Sequence, residues 1–459
     1  MDESRLDVLL ARYGGAVPRY TSYPPATRFD PDTGAAQSAG WLDAVAAETP
    51  ISLYLHVPFC HEMCSFCGCN TSVVNSSSVR AAYGALLIEE ISRVAGRLHG
   101  RGRVTALHWG GGTPTALPPS TFARVMREIE RQFTFMPDAE RAIELDPRHL
   151  PDDYPALLKT YRFTRASVGV QDLDPVVQQA CGRLQPEVLT ATCLARLRSE
   201  AGVASVNVDL MYGLPHQTMA SVGATARRIA HYEPDRIAVF GYAHVPWKVR
   251  RQTLIDGQAL PGTRARFEQR AEIDDVLRGA GYVAVGLDHY ARPSDHLART
   301  GGQTGAPGTR LHRNFQGYTT DDAPVLIGLG ASAISLFPEG IVQNAATTQA
   351  YARALGRDAA LPVQHGLART EDDHRRWTVI ERLMCDLAVD LRATTGVGWG
   401  AFGGARARLA GFERDGLVTI HDTHVQVTEL GRPFLRAVAA VFDATLPAAT
   451  EGPRHAVAV

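Results

Sequence analysis

The sequence predicts an α/β fold: a partial (β/α)6 barrel of the TIM type, with an N-terminal arm and a mainly α-helical, winged-helix-like C-terminal domain. Short apolar, β-branched runs lie at residues 51–57, 104–109, 142–145, 166–170, 206–211 and 237–240. Amphipathic helical patterns lie between them, at 78–97, 119–133, 150–160, 186–201 and 217–232. Near-continuous apolar strands separated by helices indicate a parallel sheet covered by helices. The active site is then expected at the carboxyl ends of the strands.

The segments outside this barrel differ from it in composition and sequence pattern. The Pro- and Gly-rich first fifty residues predict an extended arm with a short helix near residues 35–48. A helix at 263–280 and a strand at 282–287 extend the barrel, and the Gly-rich segment 300–309 predicts a flexible loop. Helices at 370–390 and 400–415 then precede a two-stranded hairpin and a helix capped by Thr428. We therefore expect domains at 1–50, 51–364 and 365–459.

Composition limits the partners and the compartment. The chain of 459 residues has a formal net charge of −1, so no overall field would attract nucleic acid or an anionic membrane. It has no apolar run of membrane-spanning length and no secretory signal pattern, which predicts a cytoplasmic protein. In a reducing compartment, clustered cysteines favour metal binding over disulfides. The winged-helix-like segment mixes acids and bases, which does not favour DNA binding.

Four of the seven cysteines follow directly on the first predicted strand. They belong to the segment SLYLHVPFCHEMCSFCGCN, residues 52–70, which contains the spacing Cys60-x3-Cys64-x2-Cys67. Three thiolates on one loop can each bind one iron of a [4Fe–4S] cluster, which leaves the fourth iron without a protein ligand. An open metal position is typical of a catalytic site, whereas a structural site is usually closed.

The spacing alone leaves other interpretations open. His56 and His61 lie close by, so zinc is one alternative, and buried free thiols are another. Cys69 is the ambiguous cysteine, because as a fourth ligand it would close the open iron. We expect it near the cluster without permanent ligation, and a small buried residue is the alternative.

Further motifs connect this loop to a known family. They are PRYTSYP (18–24), HWGGGTPT (108–115), IELDPR (143–148), SVGVQD (167–172), VDLMYGLPHQT (208–218), VFGYAHVPW (239–247), GLDHYARPSD (286–295), LHRNFQGYTT (311–320) and GASAIS (330–335). The cysteine motif resembles that of the radical S-adenosylmethionine (SAM) superfamily, and nearly the whole chain resembles the oxygen-independent coproporphyrinogen III oxidases. Related haem chaperones typically lack the CGCN ending and the HRNFQGY segment, both present here. The loop at 300–309 looks longer than in the family.

The resemblance implies the cofactors and the residues that hold them. A radical SAM barrel would carry a [4Fe–4S] cluster on the three cysteines and two SAM molecules side by side. Gly111, Gly112 and Thr113 would bind the amino-acid end of SAM, since glycine lets backbone N–H groups approach a ligand closely. The residues implied to line the two SAM pockets are Tyr54, Phe66, Glu144, Gln171, Arg183, Asp209, Ala243 and Ile334.

Residue chemistry agrees with these implied roles. Glu144 and Asp209 end predicted strands, where a carboxylate can accept bonds from ribose hydroxyls. Arg183 can clamp a carboxylate with two parallel bonds, and Gln171 offers both a donor and an acceptor. Without the resemblance, each could equally be a strand-end polar residue that caps a neighbouring helix.

Substrate contacts are expected from two further segments. Arg19, Tyr20 and Tyr23 should reach over the site and close it when substrate binds, with a surface strap as the alternative. A second polar set would consist of Arg292, His312, Arg313 and Asn314. The candidate catalytic residues are therefore Tyr54, Cys69, Arg19 and Tyr20. Because the implied substrate has four propionates, basic residues near the barrel mouth should attract it.

The resemblance implies an anaerobic oxidative decarboxylation. Two propionates of coproporphyrinogen III would become vinyl groups through SAM-derived 5′-deoxyadenosyl radicals, giving protoporphyrinogen IX in haem biosynthesis. It also implies a monomer that depends on an electron donor and an electron acceptor, with neither nucleic acid nor membrane as a partner. A haem chaperone, or another radical SAM enzyme acting on tetrapyrroles, is the alternative.

Overall fold

The computed structural model describes residues 3–300, 310–357 and 360–446, so the predicted loop at 300–309 lies outside the described residues from position 301 onward. Its strands are β1 Pro50–Val57, β2 Phe59–Cys60, β3 Ser72–Val73, β4 Arg103–Gly111, β5 Phe135–Leu145, β6 Arg165–Gln171, β7 Ser205–Tyr212, β8 Arg236–Gly241, β9 Val283–Val285, β10 His289–Ala291, β11 His312–Asn314, β12 Gly317–Thr319, β13 Val325–Leu329, β14 Ile334–Phe337, β15 Gly340–Asn344, β16 Val363–Ala368, β17 Ala388–Asp390, β18 Val418–His421 and β19 His424–Val427. Its α-helices are α1 Glu3–Tyr13, α2 Ala35–Asp43, α3 Ser77–Leu98, α4 Pro119–Gln132, α5 Tyr154–Thr160, α6 Pro175–Ala180, α7 Glu187–Ser199, α8 Met219–His231, α9 Thr263–Gly279, α10 His296–Thr300, α11 Thr348–Leu355, α12 Glu371–Asp386, α13 Leu391–Thr395, α14 Ala405–Arg414 and α15 Leu435–Ala440.

A twelve-stranded sheet carries the fold, in the order β16-β15-β14-β13-β1-β4-β5-β6-β7-β8-β10-β9. The six strands β1, β4, β5, β6, β7 and β8 are neighbours in chain order and pair in parallel. They are the six strands that the apolar runs predicted. β13 extends the parallel set beside β1, while antiparallel strands complete both edges. The predicted partial (β/α)6 barrel is confirmed.

Local sequence signals fix where the covering helices begin. The Ser76 side chain caps α3 by accepting a 3.4 Å bond from the Val79 N–H. Thr218 and Ser221 form a capping box at α8, with bonds of 3.0 and 3.1 Å. Pro119 opens α4, where its missing N–H leaves no bond unmade. The helices then pack their apolar faces on the sheet, and each fully buried Leu or Ile contributes about 1.5–3 kcal/mol.

The N-terminal segment differs from the predicted extended arm. It begins with α1, and Leu6, Leu9, Leu10 and Tyr13 on this helix are buried in one apolar cluster with side chains of the C-terminal region. The guanidinium of Arg12 pairs with Asp415 at 2.6 Å. The spacing i, i+3, i+4, i+7 of the buried residues is a helical signal that the prediction overlooked. The predicted short helix near 35–48 is present as α2.

The C-terminal region has its own apolar core and a small sheet of order β17-β19-β18. The predicted helices correspond to α12 and α14, and the predicted hairpin to β18 and β19. The proposed cap is displaced: Thr428 accepts a 3.0 Å bond from the Gly431 N–H, whereas α15 begins only at Leu435. Thr428 therefore caps the turn before a short 3-10 helix, Arg432–Phe434, and not the α-helix itself.

The parallel strands determine where the functional residues gather. β1 ends at Val57, immediately before the cysteine loop, and β4 ends at Gly111 in the glycine loop. β6 and β8 end at Gln171 and Gly241 on the same edge of the sheet. None of the helices in the described ranges is long and apolar enough to cross a membrane.

Candidate active site

A cavity of about 790 Å³ opens at the carboxyl ends of the parallel strands. Its wall brings together most of the residues singled out from the sequence, namely Arg19, Cys60, Cys64, Phe66, Cys67, Cys69, Gly111, Gly112, Glu144, Gln171, Arg183, Asp209, Ala243, Arg313 and Asn314. Distant segments therefore meet at the edge of the sheet where the barrel prediction placed the site.

The cysteine loop is held by backbone bonds to its surroundings. β2 pairs in parallel with β3, and the Ser65 N–H donates to the Cys181 carbonyl at 2.9 Å. The Gln252 side chain donates 2.9 and 3.0 Å bonds to the carbonyls of Phe66 and Ala243. A single buried amide thus joins the loop to the residues that follow β8.

The three cysteines of the motif differ in their surroundings. Cys60 Sγ lies 3.2 Å from the Thr71 hydroxyl. Cys64 Sγ accepts bonds from Arg183 Nη1 at 3.3 Å and from Arg148 Nη2 at 3.5 Å. Two guanidinium groups therefore approach the Cys64 sulfur, whereas burial raises the pKa of the Cys60 thiol to about 11.

Cys69 lies beside Cys67 and the two thiols share a hydrogen bond. That bond is the largest cause lowering the pKa of Cys67, and it raises the pKa of Cys69 well above its ordinary value. Cys69 is in this way a donor to the Cys67 sulfur. Such a contact is compatible with a residue near a cluster that does not bind iron.

The donor set fits an iron–sulfur cluster better than a single zinc ion. In the described part of the chain, no three His, Cys, Asp or Glu side chains are gathered closely enough to hold one ion. A cubane instead distributes its thiolates over different irons. His56 bonds the Asn70 carbonyl at 2.9 Å and lies 3.0 Å from the Tyr54 hydroxyl, and His61 stacks on His149. Neither histidine is arranged as a ligand beside the cysteines.

Gly112 lets the glycine loop lie against the cysteine loop. A Cβ at this position would be 2.8 Å from Cys60 Sγ and 2.5 Å from the Phe59 carbonyl oxygen. The backbone N–H groups of this loop, which were predicted to approach SAM, are bonded within the protein in this structure. The groups of Gly111, Gly112 and Thr113 donate to Glu144, Val57 and Phe59, respectively.

Thr113 lies directly behind the cavity wall. It is fully buried, and its hydroxyl accepts a 3.3 Å bond from the Asp146 N–H. The threonine therefore orients the backbone at the end of β5, and its direct contact with SAM stays a prediction.

Two carboxylates of the parallel strands, Glu144 on β5 and Asp209 on β7, face the cavity with different electrostatics. Glu144 accepts 3.1 Å bonds from His108 and from the Gly111 N–H, and these outweigh burial to lower its pKa. Asp209 accepts bonds from Ser167 and Asn207, but burial and the nearby Glu144 raise its pKa to about 6. Two acceptors with separate environments are thus available to polar ligands.

Gln171 and Arg183 lie next to one another at the end of β6. The Gln171 Oε1 atom is buried and has no hydrogen-bond partner within the described residues, so it can accept a bond from a ligand. Arg183 donates to the Gly169 carbonyl at 2.5 Å and pairs with Asp146 at 3.3 Å. Arg183 is therefore already engaged, and the predicted clamp on a ligand carboxylate would have to share it with Asp146.

Tyr54 and Ile334 are not on the cavity wall. The Tyr54 ring stacks on His108 at 5.9 Å. Ile334 starts β14, where its backbone lies against Gly328. Their role in lining the SAM pockets stays a prediction.

The N-terminal arm contributes only one of its three candidates to the cavity. Arg19 lines it and donates to the Gly241 carbonyl at 3.0 Å. Tyr20 is buried in the C-terminal core with its hydroxyl 3.0 Å from Asp443, and Tyr23 is buried in the same cluster. Neither tyrosine lines the cavity in this structure, and their closure over bound substrate stays a prediction.

The second polar set is also divided. Arg313 lines the cavity and pairs with Asp288 at 3.1 Å, and Asn314 lies beside it. Arg292 instead pairs with Glu233 at 3.0 Å and His312 with Glu381 at 3.2 Å. Neither of these two residues lies on the cavity wall.

Sequence reasoning missed several cavity residues. Asp146 and Arg148 directly follow the predicted strand 142–145, so the strand-end rule alone could have found them. Arg266 lies on α9 and Arg436 on α15, far from any motif. No local pattern indicates that these two arginines reach the same cavity.

Comparison with known proteins agrees with this arrangement. The radical SAM superfamily model matches residues 54–229, and the HemN C-terminal domain model matches residues 370–434. An oxygen-independent coproporphyrinogen III oxidase from Bradyrhizobium diazoefficiens is 43% identical, over 96% of this chain and 97% of the relative. The chain belongs to the oxygen-independent coproporphyrinogen III oxidase family.

Other members of the oxygen-independent coproporphyrinogen III oxidase family extend the agreement. The relative from Salmonella typhimurium is 38% identical over 97% of both chains. The solved structure of the Escherichia coli family member HemN, a radical SAM enzyme, matches with a TM-score of 0.87 and 36% identity, over 96% of this chain and 99% of that one. The family uses a [4Fe–4S] cluster and SAM, which fits the three-cysteine loop described above.

Proposed function

We propose that this protein oxidises coproporphyrinogen III without oxygen, converting two propionate side chains to vinyl groups to give protoporphyrinogen IX. The observation that carries the proposal is the cysteine loop: Cys60, Cys64 and Cys67 line one cavity at the end of a parallel barrel. Full-length similarity to coproporphyrinogen III oxidases supports the choice of substrate.

We assign cluster binding to the three cysteines of the motif. Arg148 and Arg183 stabilise the Cys64 thiolate through their bonds to its sulfur. Asp146 holds both guanidiniums in place, with bonds of 2.7 and 3.3 Å. When bound, the cluster supplies the electron that cleaves SAM to the radical that removes a hydrogen atom from the substrate.

The remaining cavity residues would bind and orient SAM. Glu144 and Asp209 are placed to accept bonds from hydroxyl groups, and the unpartnered Gln171 Oε1 offers a third acceptor. Because the two carboxylates lie on different strands, β5 and β7, and have separate hydrogen-bond partners, they also support two SAM molecules. Phe66 and Ala243, tied together by Gln252, contribute apolar surface that excludes water from the radical chemistry.

The organisation of the protein in the cell is proposed from composition and the family. We propose a cytoplasmic monomer, with an external electron donor for the cluster and an electron acceptor for the substrate.

We also retain the domain division 1–50, 51–364 and 365–459, with the separate C-terminal core as support. Helix α1 packs in that core, whereas Ala39, Leu42 and Val45 of the same N-terminal segment pack in the barrel core.

An anaerobic assay tests the proposed reaction. Iron-reconstituted protein is given a reductant, SAM and coproporphyrinogen III, and both 5′-deoxyadenosine and the porphyrin product are followed. Formation of both products is the expected result. Deoxyadenosine without protoporphyrin would point to another substrate, and neither product from protein with a full cluster would favour a haem chaperone.

A further inference from the structure

Three arginines from distant segments reach the wall of the active-site cavity. Arg19 comes from the N-terminal arm, Arg266 from α9 and Arg436 from α15. They belong respectively to the arm, the barrel extension and the C-terminal domain. Their meeting depends on the whole fold, which is why no single motif predicts it.

Two of these guanidiniums converge at the end of β8. Arg19 Nη2 donates to the Gly241 carbonyl at 3.0 Å, and a Cβ at Gly241 would lie 3.2 Å from Arg266 Nη2. The Arg266 guanidinium is 5.5 Å from the centre of the Tyr212 ring, and its buried Nε has no hydrogen-bond partner within the described residues. Arg19 and Arg266 therefore each keep guanidinium N–H donors that no hydrogen bond within the described residues uses.

Arg436 fixes the part of the N-terminal arm that carries Arg19. Arg436 donates to the carbonyl oxygens of Pro18 and Val17, immediately before Arg19. Burial, followed by the nearby charge of Arg19, lowers the pKa of Arg436 to about 10. Burial also lowers the pKa of Arg266, whereas Arg19 is exposed at the cavity wall. Three guanidinium groups are therefore gathered at one corner of the cavity, and two of them are partly or fully buried, which favours the entry of an anion.

The charge balance of this corner differs from that around Arg183 and Arg313. Arg183 and Arg313 are each paired with a carboxylate, Asp146 and Asp288. Within the described residues, Arg19 and Arg266 make no ion pair with a carboxylate. Asp288, the acid that acts most strongly on Arg19, is already bonded to Arg313 and His289.

We infer that Arg19, Arg266 and Arg436 form a subsite that binds propionate carboxylates of the tetrapyrrole substrate. The inference rests on the proposed function and adds the residues that recognise the substrate. A carboxylate there would neutralise the clustered charge and could receive two parallel bonds from a guanidinium. Arg19 is also within electrostatic reach of Cys69, so a substrate held here lies near the cysteine loop.

Steady-state kinetics of the full-length, iron-reconstituted enzyme test the subsite. Arg19→Gln and Arg266→Gln are each expected to raise KM for coproporphyrinogen III about tenfold, while KM for SAM and the iron content stay within about twofold. Arg124→Gln is the matched control, since Arg124 is exposed on α4 and outside the cavity wall. A rise in KM for SAM alone would show that the subsite takes the SAM carboxylate and would overturn the inference.

A binding measurement separates the subsite from the reaction. Fluorescence quenching compares coproporphyrin III, with four carboxylates, against deuteroporphyrin IX, with two. The wild type should prefer the tetracarboxylate, and Arg266→Gln should lose most of that preference; an unchanged preference would overturn the inference. If the wild type binds with this preference but forms no product, the proposed reaction fails while the subsite stands.

Discussion

Arg183 places its Nη1 atom 3.3 Å from the sulfur of Cys64, so a fixed cation lies directly beside a proposed cluster ligand. The same guanidinium pairs with Asp146, which sets its orientation. The contact suggests that Arg183 has an electrostatic role in addition to any contact with SAM. Its loss should then affect the cluster itself.

Replacing Arg183 with Gln should retain the cluster but make it harder to reduce. Removing a positive charge beside the thiolate disfavours the added electron, and we expect the midpoint potential to fall by on the order of 60 mV. Electrochemical titration of the reconstituted protein measures this shift, with Arg124→Gln as the control. An unchanged potential would exclude the electrostatic role.

Alanine at Cys60, Cys64 or Cys67 should abolish the brown chromophore together with activity, because each thiolate is assigned to a different iron. Cys69→Ser should leave most of the iron in place, since the Cys69 thiol donates a hydrogen bond to Cys67 and is not assigned as a ligand. Iron analysis and absorbance of the reconstituted variants distinguish the two cases. Loss of iron in Cys69→Ser would require a ligand role for that residue.

Alanine at Gly112 should reduce cluster assembly sharply. Its Cβ would lie 2.8 Å from Cys60 Sγ and 2.5 Å from the Phe59 carbonyl, so the cysteine loop would have to move. Gly96→Ala is the matched control, because Gly96 lies within α3 and a Cβ there meets no atom within 4 Å. That control should be neutral or more stable by about 0.5–1 kcal/mol. Equal iron content in the two variants would contradict the close approach of the loops.

Phenylalanine at Tyr20 should lower stability without changing substrate affinity. The buried hydroxyl bonds Asp443 at 3.0 Å, and its loss leaves that acceptor less satisfied, at a cost of about 1–3 kcal/mol. Thermal unfolding measures the loss, and KM for coproporphyrinogen III serves as the second readout. A large rise in KM with unchanged stability would restore the idea that Tyr20 closes over the site.

Asparagine at Asp209 should change how stability depends on pH. The pKa of Asp209 in the folded state is about 6, above its ordinary 3.8, so the folded state binds the proton more tightly than the unfolded state. The contribution of Asp209 to the free energy of unfolding therefore becomes less favourable as pH rises from about 4 to 6. Asp209→Asn removes the effect and should be stabilised relative to the wild type more at pH 7 than at pH 4. Unfolding measured at both pH values checks the difference.

The sequence predicted the barrel because its strands carry their own signal. Continuous apolar runs such as residues 237–240 favour burial on both faces of the sheet, and the cysteine motif follows the first of the predicted strands. Helix α1 also carried a signal, in the spacing of Leu6, Leu9, Leu10 and Tyr13, but the neighbouring prolines and glycines of the first fifty residues concealed it.

Other features depend on contacts that no local pattern contains. Tyr20 could be placed only by knowing that Asp443 lies beside it, 423 positions further along the chain. Thr113 follows the glycines of its motif, yet its bond to the Asp146 N–H draws it behind the cavity. Arg266 and Arg436 reach the site only because α9 and α15 pack around it. Side-chain direction therefore required the tertiary structure.

The most direct test of the central claim uses coproporphyrinogen III deuterated at the β-carbons of its propionates. The reconstituted enzyme is supplied anaerobically with reductant and SAM, and 5′-deoxyadenosine is analysed by mass spectrometry alongside protoporphyrin formation. Oxidation started by hydrogen abstraction predicts deuterium in the deoxyadenosine and a vinyl-containing product. Vinyl product accompanied by deuterium-free deoxyadenosine would contradict the account.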